Sequence, residues 1–405
     1  MVLDVLVALA VIVVTARLVG GLFTRLHQPA VIGEVVAGIM LGPSLLGSVA
    51  PGLAAVLVPP GTAPFLGVMS QLGVILYMFL IGLELDLKLL RARAATTAAI
   101  AVSSIVVPFG LGLILARTLY GSLAPVGVGF TPFALFLGVS MSITAFPVMA
   151  RILGDKGLQR THMGIVALTC AAINDAVAWC LLAVVVGVTQ ATSSAAIQTI
   201  VLTVVYIALT LTAGRRLMVA VITGIDGAPR VGERSLALVL VAVLLSAVAT
   251  DLIGIHAIFG AFLLGVIIPH ESVVATYATQ RLDGIVRVMF LPVFFAFVGL
   301  RTSIGLVQTA NDWLLCGLII AVATIGKFGG AAVAAKLAGL HWRDSAALGI
   351  LMNTRGLVEL IVLNIGFDLG VISPRLFSML VVMALVTTVM TSPILSALLR
   401  RRPWH

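Results

Sequence analysis

Long apolar runs, punctuated by short clusters of Gly, Pro and charged residues, dominate the chain from end to end. About 20 mostly apolar helical residues suffice to cross the hydrocarbon core of a bilayer. By that measure the punctuation marks out thirteen segments, with bounds good to several residues, at approximately 2–22, 28–46, 64–83, 94–117, 131–153, 161–189, 194–214, 234–252, 256–269, 279–300, 312–336, 344–367 and 376–399. The ninth is the shortest. The pattern predicts an all-α polytopic membrane protein of about 13 transmembrane helices.

Composition strengthens that picture. Of 405 residues, 61% are hydrophobic and only 10% charged, against a usual charged share of about 25% in soluble domains. No sizeable soluble domain fits, so neither a nucleotide-binding nor a regulatory appendage is expected. Cys170, Cys180 and Cys316 all sit in apolar stretches without metal-ligand spacing, which argues for packing roles rather than a disulfide or a metal site. The first twenty residues carry Asp4 in place of a basic leader and have no small-residue cleavage site, so they read as a retained first helix.

The net charge of +9 raises the question of nucleic acid, and the position of the charges answers it. Nineteen of the 24 Lys and Arg fall in loops after odd-numbered spans or in the C-terminal tail. Arg117, Arg301 and Arg375 alone fall on the other side, and Lys327 and Arg355 lie within spans. The positive-inside rule then puts the C-terminus in the cytoplasm and the N-terminus outside. The basic excess is spread over six loops and a tail with no single patch or aromatic platform, so nucleic-acid binding is not indicated.

Six helices, one linker helix and six more make the second half enter the membrane from the opposite side, the arithmetic of inverted repeats in secondary transporters. Such folds place their site at the bilayer midplane, where interrupted helices of the two halves meet. The longest cytoplasmic loop, about residues 215–233 with Asp226, Gly227 and Pro229, fits a connector between halves.

Ionisable groups deep in a span are costly and therefore candidates for function. Five qualify: Glu34, Asp175, Lys327, Arg355 and Glu359. Asp4, Glu84, Asp86, Asp251, Asp312 and Asp344 lie near span ends. Asp175 is central to TCAAINDAVAWCLL, with no Lys or Arg in its segment. Its carboxyl can hold a proton, or release it and bind a monovalent cation through its oxygens, so that proton and cation compete for one place. The plainer alternative is a neutral Asp hydrogen-bonded to a neighbouring helix. Asn174 is open to three readings: ligand, hydrogen-bond partner of Asp175, or bystander. Asn311-Asp312 repeats the dipeptide where a helix start is the simpler account.

In FLGVSMSITAFPVMARIL, Ser140, Ser142 and Thr144 precede Pro147, which removes a backbone donor and disfavours helix at Phe146. A break there exposes carbonyls and hydroxyls suited to a dehydrated monovalent cation. An ordinary proline kink with back-bonded hydroxyls is the alternative. In ALGILMNTRGLVELIVLNIG, the polar run Asn353, Thr354, Arg355 and Gly356 marks a matching break. Arg355 and Glu359, four apart, share a helix face and could neutralise each other. Lys327, in IGKFGGAAVAAK, sits among glycines that permit close helix approach. It could pair with Asp175, offset dipole charge at the crossing of broken helices, or titrate itself. Glu34 either lines a cytoplasmic approach or packs.

These residues, with QPAVIGEVVAGIMLGPSLLG, FLIGLELDL, SITAFPVMARIL, AAINDAVAW, DLIGIHAIFGAFLLGVIIP, LPVFFAFVGL, GKFGG and MNTRGLVELIVLNIG in order along nearly the whole chain, resemble the monovalent cation:proton antiporter superfamily. The resemblance is to its second branch, that of plant-type cation/proton exchangers, Kef-type proteins and bacterial Na⁺/H⁺ antiporter relatives. It implies thirteen helices, with a dimerisation domain over 1–90 and 234–305 (spans 1–3 and 8–10) and a transport domain over 91–190 and 306–400 (spans 4–6 and 11–13). Residues 191–233 would be the linker helix and cytoplasmic connector. It also implies two broken helices crossing beside the ion site, at Thr144 with its neighbours and at Asn353 through Gly356. The ion-binding aspartate maps to Asp175 and its basic partner to Lys327.

Many electrogenic members have two adjacent acids where this chain has Asn174-Asp175. A single carboxylate implies one H⁺ for one Na⁺ or K⁺, an electroneutral exchange unless Lys327 also gives up a proton. Long regulatory tails of relatives have no counterpart after Arg402, so nucleotide or glutathione gating is not expected.

The sequence therefore leads to a secondary antiporter in the cell membrane, a transporter and not an enzyme, working by alternating access and elevator-like movement. Na⁺ or K⁺ and H⁺ are its expected substrates, the lipid bilayer its surroundings and a homodimer its assembly, with no cofactor. Its expected cation and proton site is Asp175, Asn174, Thr144, Ser142 and Ser140, with Lys327, Arg355 and Glu359 as charge partners and Glu34 on the pathway. Two other classes fit the same midplane residues: a passive cation channel, and an organic-anion carrier using Lys327 and Arg355. An intramembrane enzyme is disfavoured, because His-Glu-x-x-His and paired catalytic aspartates are missing from the spans.

Overall fold

Hydrocarbon offers backbone groups no partners, so each membrane segment must satisfy its own N–H and C=O groups, which a helix does. The computed structural model describes residues 1–84, 94–158, 161–190, 193–226, 232–269 and 271–399. Asp86, Lys88, Arg91, Arg93, Arg160, Gly227, Pro229, Arg230, Arg400, Arg401 and Arg402 lie outside the described residues. Within them the first ten helices are α1 (Val2–Arg25), α2 (Ala30–Leu41), α3 (Leu46–Val49), α4 (Pro51–Leu57), α5 (Ala63–Glu84), α6 (Ala94–Leu123), α7 (Phe130–Ser142), α8 (Phe146–Asp155), α9 (His162–Gln190) and α10 (Ser193–Leu209). Ten more follow: α11 (Arg215–Asp226), α12 (Glu233–Ile253), α13 (Ala257–Ile267), α14 (Val273–Ile285), α15 (Leu291–Arg301), α16 (Ala310–Thr324), α17 (Gly330–Leu337), α18 (Trp342–Met352), α19 (Leu357–Asp368) and α20 (Pro374–Leu399).

The all-helical polytopic architecture is thus present. Among the described residues, ten helical stretches are long and apolar enough to cross a membrane, and an eleventh if α18 and α19, bent by 43° at their junction, form one span. Two of the thirteen sequence segments fall short by length. Segment 131–153 is divided into α7 and α8, and 256–269 becomes the 11-residue α13. His256, at φ 78°, stops the helical path before α13, and extended backbone at Ile268 ends it.

Packing divides the chain into two compact units. One comprises Ala63–Leu89 and Ala183–Phe294. Inside it, α5 and α13 meet glycine to glycine: a Cβ at Gly82 would lie 2.3 Å from the Phe262 carbonyl oxygen, and one at Gly265 2.3 Å from that of Phe79. Small residues bring membrane helices to such distances.

The other unit comprises Met1–Thr62, Leu90–Leu182 and Phe295–His405 and holds every candidate site residue. Its core joins Ile100 and Ala101 of α6, Val148 to Leu153 of α8, Met163 to Ala171 of α9, Ala331 and Ala335 of α17, and Ala347 to Met352 of α18. Helix α6 lies tight on α7: a Cβ at Gly112 would sit 2.8 Å from the Gly138 Cα and 3.0 Å from the Leu137 carbonyl. Gly112→Val therefore overpacks the contact that sets α6 against α7, with an expected cost of about 1–3 kcal/mol. Thermal unfolding of purified protein checks this. The midpoint should fall for Gly112→Val and not for Gly121→Ala, in the same helix, where the added methyl meets open space and helix propensity improves.

Two of the acidic residues near segment ends have ordinary partners. Asp312 is the third residue of a capping box whose N-cap is Thr309, and it pairs with Arg375. Asp4 pairs with the N-terminal amine at 2.8 Å.

Candidate functional site

Helix α7 ends at Ser142, Ile143 and Ala145 are extended, and α8 begins at Phe146 with Pro147 in its first turn. Proline is well placed there, since a first-turn N–H has no helical partner to lose. The segment is a true break rather than a kink. Helix α18 ends at Met352, and α19 starts after Asn353 to Gly356, with Gly356 extended. The two breaks are stitched together: the Ala145 N–H donates to the Thr354 carbonyl at 2.9 Å, and Thr144 Oγ1 donates to the Met352 carbonyl at 3.0 Å.

Arg355 completes the crossing. The last carbonyls of a helix have no partner within it and carry the negative end of its dipole. Those of α7 are taken by the guanidinium, which donates to the Met141 carbonyl at 2.7 Å and to the Ser140 carbonyl. The same group donates to Glu359 Oε2 at 2.8 Å, and Glu359 lies in the first turn of α19, where a negative charge is favoured. Both side chains are fully buried. The main chain of Arg355 is held in turn by Thr388 Oγ1, which accepts from its N–H at 3.0 Å and donates to its carbonyl at 2.7 Å.

Beside this crossing sits the second group of residues. Lys327, in a π-helical turn between α16 and α17, donates through Nζ to the Ser104 carbonyl at 2.9 Å. That carbonyl is free because Pro108, inside α6, has no N–H to offer its i−4 acceptor. The orientation of the Asn174 amide follows from its neighbours. Turned so that its NH₂ donates to the Ala101 carbonyl at 3.2 Å, its oxygen accepts from Lys327 Nζ at 3.3 Å and lies 3.0 Å from Ser104 Oγ and 3.2 Å from Thr144 Oγ1. Asn174 thus ties the break to Lys327.

Asp175 is 2% exposed. Neither carboxylate oxygen makes a hydrogen bond of good geometry. The Lys327 charge and the Phe146 N–H, at the positive end of α8, are the groups that act on it. A carboxylate that is buried and unsatisfied is expensive, and two states relieve the cost: protonation, or a bound cation.

The other candidates fall into place around this. Ser142 Oγ is back-bonded to the Val139 carbonyl at 2.8 Å, whereas the buried Ser140 Oγ has no partner. Glu34 stands apart, on α2 against α1 near Gly20, with Arg17 as its nearby charge. Lys327 bonds the Ser104 carbonyl and Asn174, while the last carbonyls of α7 are bonded by Arg355. Ser104 went unnamed among the expected site residues, and Asn353 was named only as part of a break. Ser104 was signalled by Pro108 four residues later. Asn353 is buried with both amide atoms unpartnered, and its signal was its place in the polar break.

Residues 10–401 match the family model described as sodium/hydrogen exchanger, transmembrane. The chain belongs to this family. It is 44% identical to a Na⁺/H⁺ antiporter of Synechocystis over 392 residues, covering 96% of each chain. It is 40% identical to Cation/H⁺ antiporter 17 of Arabidopsis thaliana and 34% identical to K⁺/H⁺ antiporter 1 of Saccharomyces cerevisiae. The match covers 96% and 92% of this chain but 47% and 44% of those proteins, so it spans about half their length. A solved structure of a sodium proton antiporter from Methanocaldococcus jannaschii shares the exchanger fold. Its TM-score is 0.67 at 15% identity, over 98% of this chain and 97% of that one.

Proposed function

We propose that this exchanger-family protein swaps a monovalent cation, Na⁺ or K⁺, for H⁺ by alternating access, with Asp175 as the shared proton and cation site. One observation carries the reading: a buried carboxylate whose oxygens make no hydrogen bond of good geometry, with the Lys327 charge and the Phe146 N–H acting on it at the crossing of two broken helices. The proton occupies Asp175 when the cation is absent. An arriving cation needs the ionised carboxylate and so drives the proton off. Thr144, Asn174, Ser140, Asn353 and the carbonyls of the breaks surround that exchange, and Lys327 is the fixed positive charge that keeps the cation-free anion from being wholly uncompensated.

The names of the relatives favour antiport over a passive channel. The contacts of Lys327 and Arg355 disfavour an organic-anion carrier, since their donors already serve carbonyls, Asn174 and Glu359. The resemblance and the charge pattern further support thirteen spans, an outside N-terminus and cytoplasmic C-terminus in the cell membrane, and a homodimer. In that reading residues 1–90 and 234–305 are the scaffold, 91–190 and 306–400 move as an elevator, and 191–233 connect them.

The test is reconstitution. Purified protein in proteoliposomes should dissipate a preset pH gradient on addition of Na⁺ or K⁺, and choline should do nothing. Cation uptake that never moves protons would instead indicate a channel. With one titrating carboxylate at Asn174-Asp175, the exchange should be electroneutral. The cation gradient that balances a given pH gradient should not shift when a membrane potential is imposed with valinomycin, for Na⁺ as substrate. A shift would mean that Lys327 also yields a proton.

A further inference from the structure

The polar run that separates α18 from α19 carries one side chain that the fold does not use. Asn353 is fully buried, and neither its Oδ1 nor its Nδ2 has a hydrogen-bond partner. Among the described residues it is the one buried side-chain amide in that state. Its main chain needs no help from the amide, because the Asn353 N–H donates to the Gly349 carbonyl at 3.2 Å and closes α18. A primary amide offers two donors and an oxygen with two acceptor sites, and burying it unpaired costs free energy that an alanine would not incur.

The bonds on either side put that amide at the crossing. Thr144 Oγ1 donates to the carbonyl of Met352, the residue before, and the Ala145 N–H donates to that of Thr354, the residue after. The next residue of the first break, Phe146, supplies the N–H that acts on Asp175. Asn353 therefore lies opposite the stretch that borders the carboxyl. Asn174, the other amide there, is already committed: its NH₂ donates to the Ala101 carbonyl and its oxygen accepts from Lys327 Nζ at 3.3 Å. Hard cations take several oxygen ligands, side-chain amide carbonyls among them, and one carboxylate supplies at most two. We infer that Asn353, and not Asn174, is the neutral amide ligand of the transported cation, its Oδ1 joining the Asp175 carboxylate around the ion. An uncharged ligand adds affinity without adding a second proton to displace. The inference rests on the reading of Asp175 as the cation site.

Cation binding, measured without transport, tests it. Purified protein at alkaline pH is titrated with NaCl or KCl, choline chloride holding ionic strength constant, and the rise of the unfolding midpoint gives an apparent Kd. The wild type should be stabilised by Na⁺ or K⁺. Asn353→Ala should bind the same cation about tenfold more weakly, through the loss of one contact to a charge. Ser345→Ala, which removes another buried unpartnered group two turns earlier in α18, should bind as the wild type does. Asn353→Asp keeps the shape and puts a second carboxyl beside the ion, so its apparent Kd should vary with pH more steeply than that of the wild type. Wild-type affinity in Asn353→Ala would overturn the assignment of Asn353 alone. A wild-type pH dependence in Asn353→Asp would do the same, and this second variant decides should the first not fold. No stabilisation of the wild type by either cation would instead overturn Asp175 as the cation site, and this ligand with it.

Discussion

Asp175→Asn should leave a folded protein that no longer couples cation to proton movement. The substitution keeps size and shape but removes both the proton site and the charge. A carboxylate and a cation about 4 Å apart attract by roughly 4 kcal/mol at an effective dielectric of about 20, so cation affinity should fall by about 10³-fold. Stability should hold or rise, because a buried carboxylate without a hydrogen bond of good geometry is replaced by a neutral amide. Cation-driven pH changes in proteoliposomes, read alongside thermal unfolding, separate the two effects. Wild-type exchange by the variant would place the proton site elsewhere.

Arg355→Ala should be the most damaging change to the fold of the site. It leaves Glu359 as an uncompensated buried charge and strips the Ser140 and Met141 carbonyls of their donor. Removing one member of a buried ion pair costs about 3–5 kcal/mol, and orphaned carbonyls add to it. Replacing both members, Arg355→Leu with Glu359→Leu, removes the unpaired charge but not the orphaned carbonyls. The order of unfolding midpoints should be wild type, double variant, single variant. A single variant as stable as wild type would show that the α7 carbonyls do not depend on Arg355.

How far these features were legible in the sequence depends on whether their cause is local. The all-helical membrane fold follows from apolar runs, and both breaks follow from local chemistry: Pro147 after three hydroxyl residues, and the run Asn353 to Gly356. Asp175 and Lys327 stood out because charge inside spans is scarce. What escaped detection was the partnering. Arg355 and Glu359 share a helix face by spacing alone, but nothing in their segment points to the end of α7, more than 200 residues earlier. Lys327 could be seen to need a partner, yet its acceptor is a backbone carbonyl of α6, exposed by Pro108. A proline inside a span therefore carries more information than a kink: it names the carbonyl, four residues before, that something else must satisfy. Span counting fails for a related reason, since breaks and the φ 78° residue before α13 cut helices below the length that hydropathy assumes.

The central claim is that one carboxyl serves proton and cation in turn. Its most direct measure is the apparent KM for the transported cation as a function of pH in proteoliposomes. If Asp175 is the shared site, KM should fall about tenfold for each unit of rising pH until the carboxyl is ionised, with maximal rate at saturating cation unchanged, because each bound cation displaces one proton. A KM independent of pH, with pH acting on maximal rate alone, would mean that proton and cation occupy separate sites and would contradict the account.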